Sequence, residues 1–126
     1  MRTLTDHKIN GLNESLSITL LDEPGQGGAN HQYQISWKDP TDSTGISKRA
    51  LLIPFQDGPL GETGPNGVSG EALLAIVADR LRSFQAGPFS CRENAVALTY
   101  LETAMMWLQK RTRDRMTRGV EGTNAK

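Results

Sequence analysis

The chain has 126 residues, with 14 Lys and Arg balanced by 14 Asp and Glu, and one cysteine. This length allows one compact unit or a small sheet joined to a helical arm, and zero net charge argues against a broad basic face for duplex nucleic acid. A lone thiol excludes an intrachain disulfide and fits a reducing cytoplasm.

In chain order, the amino-terminal residues lack a basic-then-apolar targeting pattern. No apolar run approaches membrane-spanning length, so a soluble protein with no membrane partner is expected. Residues 15–21 place Leu16, Ile18 and Leu20 at alternate positions, as in a strand with one buried face. The run Asp22-Glu-Pro-Gly-Gln-Gly-Gly28 then stops regular structure. Residues 31–37 alternate Tyr33, Ile35 and Trp37 with Gln32, Gln34 and Ser36, a half-buried strand pattern. After a polar turn at 39–45, residues 49–55 read as a third strand ending near Pro54. A three-stranded antiparallel sheet over residues 1–66 is the expectation, followed by a helical hairpin over 67–126. The fold class is α+β.

A second glycine-rich loop, residues 56–70, ends at Ser69, whose hydroxyl is placed to cap a helix over about 70–85. Leu74, Val77, Leu81 and Phe84 repeat at spacings of three and four and mark its apolar stripe. Gly87-Pro88 breaks that helix, and Ser90 with Glu93 has the spacing of a capping box for a second helix over about 91–118. There Leu98, Leu101, Met105 and Leu108 form the seam, while Val96, Tyr100 and Trp107 lie on another side. At ~1.5 Å per residue the longer helix is expected to overhang its partner by about 18 Å, carrying Trp107 and the arginines. Aromatic residues are 6% of the chain, so the core of one copy is thin and a second copy is expected to cover the overhang.

Charge is uneven along this plan. Residues 1–68 carry five Lys/Arg against eight Asp/Glu, and residues 69–126 carry nine against six. The basic excess lies in Lys110, Arg111, Arg113, Arg115 and Arg118, which points to a local anion site. Enzyme signatures are missing. The 64–70 loop has no phosphate-binding lysine, and the 25–28 loop lacks dinucleotide-fold spacing. His7 and His31 have no metal-ligand companions in sequence, so no metal or other cofactor is expected. No carboxylate pair stands out as an acid/base couple, and Cys91 has no nearby histidine, so no catalytic residue is assigned. What remains suits binding: an aromatic, Phe84; an amide, Asn94; and the guanidinium groups of Arg92, Arg111 and Arg115. Each also has a bland reading: hairpin core for Phe84, a local cap for Asn94, a solvated basic face for Arg111 and Arg115.

At the hairpin the chain resembles a known family. The runs 71–77, Phe84-Gln-Ala-Gly-Pro-Phe-Ser-Cys-Arg-Glu-Asn94, 106–115 and Arg118-Gly-Val-Glu-Gly-Thr123 look like those of the phage anti-Thoeris sponge family. That family is similar over its hairpin to the phage anti-CBASS cyclic oligonucleotide sponge. The 22–28 loop is similar to the anti-Thoeris branch. The resemblance implies a protein without enzymatic activity that sequesters glyco-cyclic ADP-ribose signals, with cyclic trinucleotides held by some members at a separate site. It implies a homodimer that joins into a hexamer as a trimer of dimers, acting in the cytoplasm of the infected bacterial host. By the same resemblance, Phe84 stacks on adenine, Asn94 hydrogen-bonds the ligand, Arg111 and Arg115 clasp the pyrophosphate, and Arg92 belongs with the trinucleotide site. Two other classes stay open from the residues: an enzyme that degrades such signals, and a phage structural or regulatory oligomerisation module.

Overall fold

The computed structural model describes residues 2–125. It divides into two compact units. One runs up to Gly58 and takes in Pro65–Gly67; the other comprises Pro59–Gly64 and the chain from Val68 onward. Residues 59–64 thus go with the helices and Gly67 with the sheet.

The first unit is one antiparallel sheet of four strands in the order β1-β2-β3-β4: β1 (Arg2–Leu4), β2 (Ser17–Leu20), β3 (Gln32–Lys38) and β4 (Lys48–Pro54). The expected three strands are present, and β1 is an addition. Its three residues are too few to show alternation, and only pairing of Arg2 with Leu20 and Leu4 with Ile18 makes them a strand. A short helix α1 (Gly11–Ser15), capped by the Asn10 side chain, links β1 to β2.

The register sorts the side chains. Leu4, Ile18, Ile35 and Leu51 form one cross-strand row, and Leu20, Tyr33 and Ile53 form the next on the same face. Thr3, Thr19, Gln34 and Leu52 line the opposite face. Tyr33 meets Phe55 edge to face, with ring centroids 5.4 Å apart.

Two polar devices hold the sheet ends. The Asp22 carboxylate accepts from the N–H groups of His31 and Gln32, and Asn30 donates to both Asp22 and its carbonyl. Partial burial raises the Asp22 pKa, but these bonds outweigh it and hold the carboxyl below its ordinary range. In the β3–β4 turn, Asp42 accepts from Thr44 and from the Ser47 N–H, which together hold its carboxyl far below the usual carboxylate range.

The second unit contains the short α2 (Leu60–Thr63), then α3 (Gly70–Ala86) and α4 (Arg92–Thr117), which pair as a hairpin. Ser69 caps α3, its hydroxyl accepting from Ala72 N–H at 3.1 Å. The α4 cap is Cys91, whose sulfur accepts from the Asn94 N–H at 3.5 Å, so the helix begins one residue later than the Ser90 capping box predicts. The covered stripe of α3 is Leu74, Ala78, Leu81 and Gln85, not Leu74, Val77, Leu81 and Phe84; Val77 and Phe84 flank it, 47% and 38% exposed. Small Ala78 at the centre lets the helices approach closely, and a bulky Val77 packs at the margin.

Helix lengths of 17 and 26 residues differ by about 14 Å of helical rise. The overhang is shorter than that. Arg82 pairs with Glu102 at 3.3 Å, and Glu71 shares a shallow cleft with Gln109, Thr112, Arg113 and Met116. Trp107 therefore lies alongside α3 rather than beyond it. Its 65% exposure comes from facing away from the seam. Among the described residues only Leu20 and Ala78 are buried apolar side chains, so neither unit owns a large core.

Candidate ligand-binding site

The five residues singled out in sequence lie in the hairpin unit, at its two ends. At the turn, Phe84 sits in the last full turn of α3 and keeps part of its ring open, with the Arg80 guanidinium 5.3 Å from its centroid. The turn is braced by Gln85, whose side-chain oxygen accepts from the Cys91 N–H at 3.0 Å. Asn94 is half-buried in the first turn of α4, and its backbone is tied to the Cys91 cap. Among the described residues its side-chain amide has no hydrogen-bond partner, so the local capping role falls to Cys91 and the amide is left available. Arg92 is the first residue of α4 and is exposed.

At the far end of α4 lies a cleft of about 610 Å³ lined by Trp107, Lys110, Arg111, Asp114, Arg115, Thr117 and Arg118. Four cations and one carboxylate line it, and Asp114 is paired with Lys110 at 2.8 Å. Arg111 is exposed, and no ion pair is formed by it among the described residues. An exposed guanidinium beside an indole suits a flat, anionic ligand: the fork matches phosphate oxygens and the ring offers a stacking face.

Arg115 is different. It is only 7% exposed, and its guanidinium is turned onto the chain that follows α4. Nε bonds Glu121 at 3.0 Å, Nη2 bonds the carbonyls of Val120 at 3.0 Å and Thr123 at 3.1 Å, and Nη1 bonds the carbonyl of Ala125. Reversal of the chain here needs Gly119 and Gly122, both at positive φ (73° and 81°), where a side chain is strained.

Sequence reasoning counted Lys110 and Arg118 in the local anion site without naming either as a ligand-binding residue, and it left Trp107 out, although a signal was present. Positions 107, 110, 111, 114 and 118 fall at three- and four-residue spacings and so share a helix face. The ends of the hairpin are well separated: Asn94 and Arg111 are 17 residues apart in one helix, about 25 Å by its rise. Among the described residues no group of three or more His, Cys, Asp or Glu is placed to hold a metal ion. None of their helices is long and apolar enough to cross a membrane.

Two comparisons with known proteins bear on this geometry. The family model described as Acb2/Tad1, hairpin domain, matches residues 48–113, more than half of the chain. A protein named Thoeris anti-defense 1, from Bacillus phage SBSphiJ7, is 57% identical over 102 residues. That match covers 81% of this chain and 66% of the relative, so the aligned part falls just short of two thirds of the relative's length. On the strength of both matches, and of the hairpin seen in the structure, the chain belongs to the Acb2/Tad1 hairpin family.

Proposed function

We propose that this protein counters Thoeris immunity by binding a glyco-cyclic ADP-ribose signal and holding it intact. The carrying observation is family membership together with the name of the Bacillus phage relative. The site chemistry supports it: an open aromatic ring and a free amide suit a base, and the cationic cleft suits a pyrophosphate. Phe84 stacks on adenine, Asn94 bonds the ligand, and Arg111 with Arg115 holds the phosphates. Arg92 serves a separate site for cyclic trinucleotides, through which the protein also acts against CBASS. The protein is not an enzyme and works in the cytoplasm of the infected bacterial host.

The reading requires two copies. A cyclic ADP-ribose is roughly half as wide as the 25 Å between Asn94 and Arg111, so one chain does not wrap it with both ends of α4. Two hairpins packed antiparallel bring the cleft of one beside the turn of the other, and two-fold symmetry makes two such pockets. Surface area supports the pairing. The chain exposes 9205 Å², whereas two compact bodies, each of half its mass, together expose roughly 8,000 Å² by the scaling for monomers. A stripe of Val96, Tyr100 and Trp107, on the side of α4 away from its seam, is where we place the dimer contact. Three dimers then assemble into the hexamer.

The test is to load the protein with the signal, remove the unbound fraction, denature by heat and analyse what is released. Intact ligand supports sequestration. A cleaved product overturns it and establishes a degrading enzyme, and absence of binding leaves a structural module.

A further inference from the structure

The C-terminal turn joins a carboxylate to a cationic cleft, and the sign of its effect on anion binding is informative. Glu121 is exposed and acidic, and by Coulomb's law alone it opposes a nearby phosphate. Yet it holds Nε of Arg115 at 3.0 Å, while Val120, Thr123 and Ala125 take three further N–H groups of the same guanidinium. Four of the five donors are thereby directed, and one Nη1–H remains on a residue that lines the cleft. An arginine held in this way loses little conformational freedom when it meets an anion.

The same turn shields the phosphate side from the helix itself. The C-terminal end of a helix presents unpaired carbonyls and partial negative charge, which repel an anion. Here the Val120 N–H caps the Arg115 carbonyl at 3.0 Å, and the Gly119 N–H caps that of Met116 at 3.1 Å. A second tie comes from α2: the Gly61 N–H donates to the Gly122 carbonyl at 2.8 Å, and a Cβ at position 61 meets that oxygen at 2.8 Å. The turn is therefore anchored from both sides within the helical unit.

We infer that Glu121 is a positioning residue of the cleft, acting through Arg115 to aim its remaining donor at a bound pyrophosphate. This rests on the reading of the cleft as a phosphate site, and the test keeps the two apart. Calorimetry on the full-length protein uses two probes, a glyco-cyclic ADP-ribose isomer and inorganic pyrophosphate. The variants are Glu121→Ala, Arg115→Ala and the double variant, each checked for melting temperature and assembled mass. Glu121→Ala is expected to bind both probes about tenfold more weakly, the scale of one hydrogen bond to a charged group. The double variant is expected to bind no more weakly than Arg115→Ala, because Glu121 has no favourable route to the anion except through Arg115. A merely structural role for Glu121 lowers melting temperature but leaves the affinity of the folded protein unchanged.

Equal or tighter binding by Glu121→Ala overturns the inference, as does a double variant whose losses add. If Glu121→Ala fails to fold, Glu121→Gln replaces it, keeping an oxygen acceptor for Nε without the charge. Weaker binding by that variant is expected, and equal or tighter binding overturns the inference. If the parent binds pyrophosphate in this pattern but not the nucleotide, the proposed function falls and the role of Glu121 stands. If it binds neither, both fall.

Discussion

Trp107→Glu tests whether the outer stripe of α4 is an interface. Trp107 and Tyr100 are 65% and 70% exposed, and aromatic side chains bury 150–250 Å² when covered, so together they offer on the order of 280 Å² per chain. At ~25 cal/mol per Å² complete covering contributes about 7 kcal/mol per chain. Two-fold symmetry doubles this, against an association cost of about 4–15 kcal/mol. Trp107 supplies about half of the area. If only half of its share is realised in the dimer, its loss costs about 3.5 kcal/mol per pair, or roughly 300-fold in dimer affinity. The new carboxylate adds a desolvation cost on top. Sedimentation velocity across the micromolar range, with circular dichroism to confirm retained helix, reads this directly. The parent is expected to sediment as a dimer or larger assembly and the variant to shift toward monomer. A variant that is folded and keeps the parental mass refutes the interface; a parent that is monomeric throughout refutes the two-chain pocket as well.

Phe84→Ala and Asn94→Ala are expected to weaken the nucleotide about ten- to a hundredfold in calorimetry, the scale of a lost stacking platform for Phe84 and of lost hydrogen bonds for Asn94, with the assembled mass unchanged. Asp42→Asn bears on acid stability. The folded pKa of Asp42 is depressed by Thr44 and Ser47, so its contribution is present above the ordinary value of 3.8 and is lost as pH falls below it. Thermal melts from neutral to acid pH are expected to show the variant less stable at neutral pH, with the difference closing at the acid end; parallel curves count against the turn. Gly67→Ala is expected to destabilise by about 2 kcal/mol, because its Cβ meets the Phe55 and Pro54 carbonyl oxygens at 2.6 Å and backbone cannot step aside. Chemical denaturation measures it, and an unchanged midpoint contradicts the packing.

Period and punctuation made much of the fold legible. Alternation of Tyr33, Ile35 and Trp37 with polar residues places one face of β3, since successive strand side chains point to opposite sides. Ser69 before an apolar repeat and Gly87-Pro88 after it place α3 to within a residue. These signals are local and do not depend on what packs against them. The motifs around the hairpin turn and after Arg118 carried the family, and the candidate residues Phe84, Asn94 and Arg111 came with it.

Tertiary structure decided the rest, wherever two local solutions are nearly equal. Val77 and Ala78 are both apolar and adjacent, so periodicity does not choose between them; close helix approach selects the smaller. Ser90 is the better cap by chemistry, yet α4 is capped by Cys91, where Gln85 holds the backbone N–H. Arg2, Thr3 and Leu4 become a strand only because Ser17–Leu20 offers an edge to pair with. Arg115 shows the limit most clearly. Its position on α4 marked it as one cation of a basic face, like Arg111 one turn before. Only the return of the chain through Gly119 and Gly122 sets Glu121 and three carbonyls around it, because those contacts belong to residues that meet in space after two left-handed glycine turns.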